Sequence, residues 1–292
     1  MRPAPLRVAA AAIAVSFALG LSACSAPAAE TPVVEGLPDD SPTIDRVISA
    51  GELVVGTPDD MPGFNLLDPI SGEYTGFEAR LAELLSERIL GETSVRHVAV
   101  TTDTREALIQ NGTVDAVLST YQITSERLEK IDFAGPDLLL GTGIVSADAL
   151  DLDEVTDLSE LADLRLITTA GAAADLLTQA VPGAEIIVFD SVVSCVQALM
   201  DGRGDVFINN EATAIAVLSL VDGVKIVPNT LPLSSFGIGV SKDDPAFTDF
   251  VNAFLEEIIE DGTWAEIWEE EITPITGKPA PAAPVVGDLG LE

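Results

Sequence analysis

Between residues 53 and 270 short apolar runs alternate with stretches of helical period, and that alternation restricts the chain to an α/β architecture. The strand-like runs fall at 53–57 (LVVGT), 95–100, 114–119, 138–145 (LLLGTGIV), 164–168, 185–189, 205–208 and 224–227. They are short and mostly apolar, as expected of strands covered on both faces. Helical spacing of apolar residues marks 76–89 (GFEARLAELLSERI), 105–110, 173–179, 194–200 and 211–220. A return strand at 231–241 precedes helices at 247–259 and 263–270 that would pack back on the beginning of the chain. The pattern therefore describes two lobes, 42–144 plus 232–277 and 145–231. Two chain crossings between them make a hinge with a cleft. Gly141 and Gly143 would let the strand bend at the first crossing. A chain of 292 residues is long for one core and natural for two.

Charge narrows the partners. Fourteen basic residues stand against 48 acidic ones, a formal charge of −34, which makes nucleic acid and anionic lipid head groups poor partners. The acids are spread through apolar-periodic sequence and read as solvated faces; with 47% hydrophobic residues the chain is not disordered. Enzyme chemistry finds little support. There is no Gly-x-Ser-x-Gly, P-loop or His-Glu-x-x-His motif, and the one histidine, His97, lies in an expected strand. Carboxylate pairs carry little information in so acidic a chain. The expectation is a protein that is not an enzyme, with no cofactor and no metal. Cys195, inside SVVSCVQALM, reads as a small buried hydrophobe.

The termini read differently from the middle. Arg2 and Arg7 followed by the apolar run 8–21 make residues 1–23 a signal segment. Leu21-Ser22-Ala23-Cys24 fits a bacterial lipobox, with Cys24 as the lipidated first residue of the mature chain. Two acyl chains there would anchor the protein firmly, on the extracellular side of the cell membrane. Residues 24–41 are rich in Pro, Ala and acid and read as a flexible tether; 278–292, rich in Pro and Ala, read as a disordered tail.

The stretch 120–136, TYQITSERLEKIDFAGP, concentrates the chemistry. Thr124 is an N-cap candidate for a short helix starting at Ser125, which puts Arg127 in its first turn. A cation is unfavourable there by about 0.3–1 kcal/mol unless an anion lies nearby. Free N–H groups at the helix start and the hydroxyls of Thr120 and Thr124 would welcome such an anion, and a guanidinium can grip a carboxylate through two parallel hydrogen bonds. The alternative is a surface Arg127 paired with Glu126 or Glu129.

The run VDAVLSTYQITSERLEKIDFAGP, residues 114–136, resembles the signature of the family 3 extracellular solute-binding proteins of ABC importers. Those proteins carry a Gly-x-Val-Asp strand, an Ile-Thr-x-x-Arg turn and an Asp-Phe-x-x-Pro segment. Thr-Tyr before the turn and Phe-Ala-Gly-Pro after it are most similar to the glutamate-binding branch of Gram-positive bacteria; a weaker likeness covers 42–277. The resemblance implies a type II periplasmic-binding-protein-like fold. It also implies a monomeric lipoprotein that captures a polar, glutamate-like amino acid between its lobes for delivery to an ABC permease.

The resemblance also assigns residues. Arg127 would grip the ligand carboxylate; Gln122 occupies the polar position two before the Thr, and Ser119, Thr120 and Tyr121 line the same turn. Met61-Pro62-Gly63-Phe64 matches the aromatic-Pro-Pro-Phe turn of the family, so Met61 or Phe64 would supply apolar wall, with ordinary core the alternative for Phe64. Arg105 is a candidate for a second carboxylate, or else a solvated helix residue. In the second lobe the hydroxyl-bearing Gly-Thr-Thr of the family is replaced by Gly171-Ala172-Ala173-Ala174, which leaves only N–H groups. The aspartate that pairs with a ligand ammonium is replaced by Asn210. Glu211, or Asp59 or Asp60 from the first lobe, could stand in. Asp137 follows Phe-Ala-Gly-Pro where the family usually has Tyr. These departures keep a small carboxylate without an ammonium group open as the solute, as well as a fold-related enzyme or a partner of a membrane sensor.

Overall fold

The computed structural model describes residues 36–170 and 172–291; the signal segment, Cys24, most of the tether and Gly171 lie outside the described residues. The chain runs through α1 (Pro42–Ala50), β1 (Leu53–Thr57), β2 (Asp60–Met61), β3 (Asn65–Leu67), β4 (Tyr74–Thr75) and α2 (Phe77–Leu90). Then come β5 (Val95–Ala99), α3 (Arg105–Gln110), β6 (Ala116–Val117), α4 (Ser125–Leu128) and β7 (Asp132–Leu140). The second lobe holds β8 (Thr142–Ala147), β9 (Arg165–Thr169), α5 (Ala172–Ala180), β10 (Glu185–Phe189), α6 (Val192–Met200), β11 (Val206–Asn210), α7 (Glu211–Leu220) and β12 (Val224–Ile226). β13 (Ser234–Val240), α8 (Pro245–Glu260), α9 (Thr263–Glu271) and α10 (Thr273–Thr276) return to the first.

Each lobe is a five-stranded sheet, in the orders β5-β1-β6-β13-β7 and β10-β9-β11-β8-β12. Alternating side chains feed the two faces. In β1, Leu53 and Val55 enter the larger core of the first lobe, while Val54 joins Ile109, Val114 and Tyr121 on the other face. In β11, Val206 and Ile208 point one way and Phe207 the other, towards Cys195 and Leu199. Helix α1 was not anticipated, although Ser41 before Pro42 is a cap followed by a favoured first helical residue. Its Ser41 hydroxyl and Thr43 N–H both donate to Asp244, the N-cap of α8, at 2.8 Å, which ties the start of the described chain to its far end.

Strand directions decide where a site can form. β13 is antiparallel to both β6 and β7, so β7 ends on the side where the parallel strands β1, β5 and β6 end. In the other sheet β8 begins opposite the last residue of β11, Thr142 beside Asn210, and β11 is parallel to β9. One residue, Gly141, separates the end of β7 from the start of β8. The carboxyl ends of both sets of parallel strands are thereby brought to the hinge, the position where open α/β sheets bind ligands. Glu211 holds that residue twice: its N–H donates to the Gly141 carbonyl, and its carboxylate accepts the Gly141 N–H, both at 2.9 Å. Because β8 pairs wholly within the second sheet, the first crossing lies at Gly141, a few residues before the boundary expected after residue 144.

Residues 278–291 correct a second expectation, since they are not a disordered tail. Ala280, Ala283 and Val286 pack on the main core of the first lobe and Leu289 on the cluster of its other face. The Ala280 N–H donates to Glu269 at 2.9 Å and the Gly287 N–H to the Gly135 carbonyl at 2.8 Å. A Pro- and Ala-rich composition lacks periodicity, yet its few apolar side chains suffice where an apolar floor is available. Deleting 278–292 should cost about 2 kcal/mol of burial and lower Tm by a few degrees in a thermal melt. An unchanged Tm would mean that these contacts contribute nothing.

Candidate functional site

At the carboxyl ends of the first sheet three loops converge: 58–61 after β1, the segment leading into α3 after β5, and 118–127 after β6. Thr124 caps α4 in extended conformation and its hydroxyl accepts the Arg127 N–H at 3.3 Å, as the sequence predicts. Thr120 has φ +42°, a left-handed conformation that costs a non-glycine residue about 1–2 kcal/mol. Its N–H is held by Glu78 Oε1 at 2.7 Å. Such strain persists where surrounding contacts over-determine it, typically beside ligands.

Two guanidinium groups meet on one aromatic ring. The Arg105 group lies 3.6 Å from the centroid of Tyr121 and that of Arg127 lies 4.9 Å from it. Arg105 is only 7% exposed; it donates to the Ser119 hydroxyl at 3.1 Å, and its Nε has no partner. Burial, and then the charge of Arg127, lower its pKa to about 10. Arg127 is half-buried and donates to the Gln122 carbonyl at 2.5 Å. Among the described residues neither forms a salt bridge; Arg203, Lys225, Lys242 and Lys278 form none either, but those are exposed or half-buried, whereas Arg105 is buried. An unpaired, largely buried cation is costly by several kcal/mol. Two beside each other create a local demand for anionic oxygen.

Several predicted residues take other roles. Tyr121 is fully buried and serves as the platform under both arginines, not as an open wall of the site. Phe64 is likewise fully buried, in the core of the first lobe with Phe77 and Leu81, the core alternative of the two the sequence left open for it. Met61 is half-buried against the same core, and Asp59 and Asp60 are exposed. Ser119 is buried and occupied by Arg105. Gln122 offers its backbone carbonyl to Arg127 and bridges to Phe236. In the second lobe Ala172 and Ala173 begin α5, with Ala173 half-buried. Asn210 caps α7: its side-chain carbonyl accepts the Thr213 N–H at 2.7 Å. That atom is the one expected to receive a ligand ammonium. Glu211, the suggested substitute, is held by Gly141.

Sequence reasoning missed Asn209 and Thr169, whose side chains join the ends of β11 and β9 at 2.9 Å, and it missed Glu78. Glu78 stands at the apolar spacing 78, 81, 82, 85 of α2, a position where an acid among Leu81, Ala82 and Leu85 is a usable signal.

Comparison with known proteins agrees with this layout. The profile of the bacterial extracellular solute-binding proteins, family 3, matches residues 53–272. The glutamate-binding protein GluB of Corynebacterium glutamicum is 30% identical over 238 residues, covering 77% of this chain and 80% of that protein. The glutamine-binding protein GlnH of Bacillus subtilis is 26% identical, over 79% of this chain and 84% of that one. Among solved structures, an ancestral cationic amino acid solute-binding protein superposes with a TM-score of 0.68 at 27% identity, over 79% of this chain and 99% of that one.

Proposed function

This chain belongs to the bacterial extracellular solute-binding proteins, family 3, and on that premise we propose that it is the receptor of an ABC importer for an acidic amino acid such as glutamate. The observation that carries the reading is the pair of guanidinium groups without carboxylate partners on Tyr121, in a chain of net charge −34. In so acidic a molecule, two cations left unpaired at the carboxyl ends of the strands suit a solute with two carboxylates. Each fork can take one of them with two charge-assisted hydrogen bonds. The negative field of the whole protein is screened beyond about 8 Å at physiological salt, so these local groups govern capture. Exposed Asp59 and Asp60 are the acids available to a ligand ammonium. The relatives named above are solute-binding proteins; receptor and not enzyme is the reading for this chain. Lipid attachment at Cys24, a monomeric state and release to a membrane permease complete it.

One observation favours a second solute class. With the Asn210 carbonyl engaged in capping α7 and the Glu211 carboxylate held by the Gly141 N–H, the second lobe offers an ammonium group no uncommitted acid at either position, which suits a small dicarboxylate such as succinate. A calorimetric and thermal-shift screen of L-glutamate, L-glutamine, L-arginine and succinate separates these readings. Saturation at 100-fold above Kd adds about 2.7 kcal/mol of stability. L-glutamate should give the largest rise in Tm, and no shift with either acidic solute would overturn the assignment. Asn210→Asp should tighten L-glutamate at least about tenfold, the equivalent of one charge-assisted hydrogen bond, and leave succinate no tighter. Equal effects on both solutes would remove Asn210 from ammonium recognition.

A further inference from the structure

One acid holds the arginine-bearing turn from beneath, and a second interacts with it by charge; ligand capture touches neither. Glu78, at the start of α2, and Asp137, in β7, are both almost completely inaccessible to solvent. Glu78 accepts the Thr120 N–H on one oxygen, at 2.7 Å, and the Asn65 amide on the other, at 2.5 Å. No side chain donates to either oxygen of Asp137; the backbone N–H groups of Asp137 and Leu138 lie near enough to favour its anion slightly without completing hydrogen bonds. Burial of two neighbouring carboxylates with so few donors does not sustain both as anions, so the pair holds a proton at neutral pH. Burial raises both, and the negative charge of Asp137 raises Glu78 further, to about 8 for Glu78 and about 7 for Asp137.

The charged and polar groups facing the pair come from four elements. Arg105 of α3 favours ionised Glu78 through its charge, and Arg127 acts on Arg105 in turn. Asn65 of β3 and the turn residue Thr120 donate to Glu78, and the indole N–H of Trp264 in α9 donates to the Asp137 carbonyl at 2.8 Å. Arg80 and Glu83, on the outer side of α2, pair with each other.

We propose that solute capture by this protein is linked to proton uptake at Glu78 and Asp137, with Glu78 as the positioning residue that holds the ligand-gripping turn through Thr120. This rests on the reading of Arg105 and Arg127 as an anion site. An anion seated on those guanidinium groups cancels part of the positive field that favours ionised Glu78. The pair then binds protons more tightly, and by linkage the ligand binds more tightly as pH falls. The one histidine does not compete in this window: burial lowers His97 to about 4, and burial raises Cys195 to about 11.

The test is calorimetric titration of the full chain with L-glutamate, and with succinate so that the ligand amino group is not the titrating one, from about pH 6.5 to about pH 8.5. Phosphate and Tris buffers, which differ in ionisation heat, report the protons exchanged. The wild type should take up a fraction of a proton per ligand, and Kd should tighten about threefold to tenfold on acidification, as expected for a coupling of ~0.5–1 pK unit. In D137N the slope of log Kd against pH should go flat, and E78Q, whose amide carbonyl still accepts the Thr120 N–H in the shape of the protonated acid, should hold the low-pH affinity of the wild type across the range. Binding by the wild type with a pH-independent Kd and no proton exchange would overturn the linkage while leaving the receptor reading intact. Failure of both probes to bind at any pH would overturn the two together. A sloped D137N, whatever becomes of E78Q, would remove Asp137 from the linkage.

Discussion

Arg127→Ala should weaken L-glutamate binding by at least about 100-fold, measured by calorimetry at fixed pH and salt. Truncating one partner of a desolvated charge pair costs roughly 2–5 kcal/mol, and about 2.7 kcal/mol is 100-fold. Much of that cost comes from leaving the ligand carboxylate without its fork. The turn itself should survive, because Thr124 caps α4 through the backbone N–H of residue 127, which alanine retains. Arg127→Lys should recover only part of the loss, since an ammonium group cannot present two parallel donors. Arg105→Ala should be comparably damaging to affinity and also lower stability, because that side chain packs on Tyr121 and donates to Ser119. Binding by Arg127→Ala within threefold of wild type would sink the two-arginine site.

Asp137→Asn should stabilise the unliganded protein in mild alkali and do little in acid. The folded-state pKa of Asp137 is about 7 against an ordinary value of 3.8, so between those pH values the folded protein binds more protons than the unfolded chain. Stability therefore falls as pH rises from about 4 through about 7, and the penalty is complete above that range. At ~1.4 kcal/mol per pK unit the effect is of the order of a few kcal/mol. Asparagine reproduces the shape of the protonated acid without its titration. Melts of the two proteins should coincide near pH 4.5 and separate by several degrees near pH 8.5, with the variant the more stable. Self-repulsion at −34 also makes acidification stabilising, but it is nearly the same in both proteins, so the difference isolates the buried acids. A constant difference across the pH range would show that Asp137 is ionised throughout.

Much of the site was legible before folding because its signals are local. The cap at Thr124, the placement of Arg127 in the first turn and the bend at Gly141 depend on neighbours within a few positions, as do the helix limits Arg105–Gln110 and Glu211–Leu220. Other features were opaque for equally physical reasons. Phe64 read equally as cleft wall or core, and Tyr121 as lining of the turn, because a motif records residue type, not which side of a sheet a ring occupies. Asn210 has the same side chain whether it meets a solute or caps α7; only the backbone after β11 distinguishes these. The tail shows no period, and its docking depends on the surface it meets.

By itself, the amino-acid sequence determined the two α/β lobes, the hinge at a glycine and the arginine turn, since all three follow from hydrophobic period, turn chemistry and capping over short distances. Only the tertiary structure decided which charges go unpaired. Thr120 meets Glu78 across 42 positions and Arg105 meets Ser119 across 14. Burial of Asp137 without a side-chain donor likewise follows from packing of β7 against α9. The energy of a charge is set by its desolvation and by partners distant along the chain, and neither exists until the first lobe folds around it.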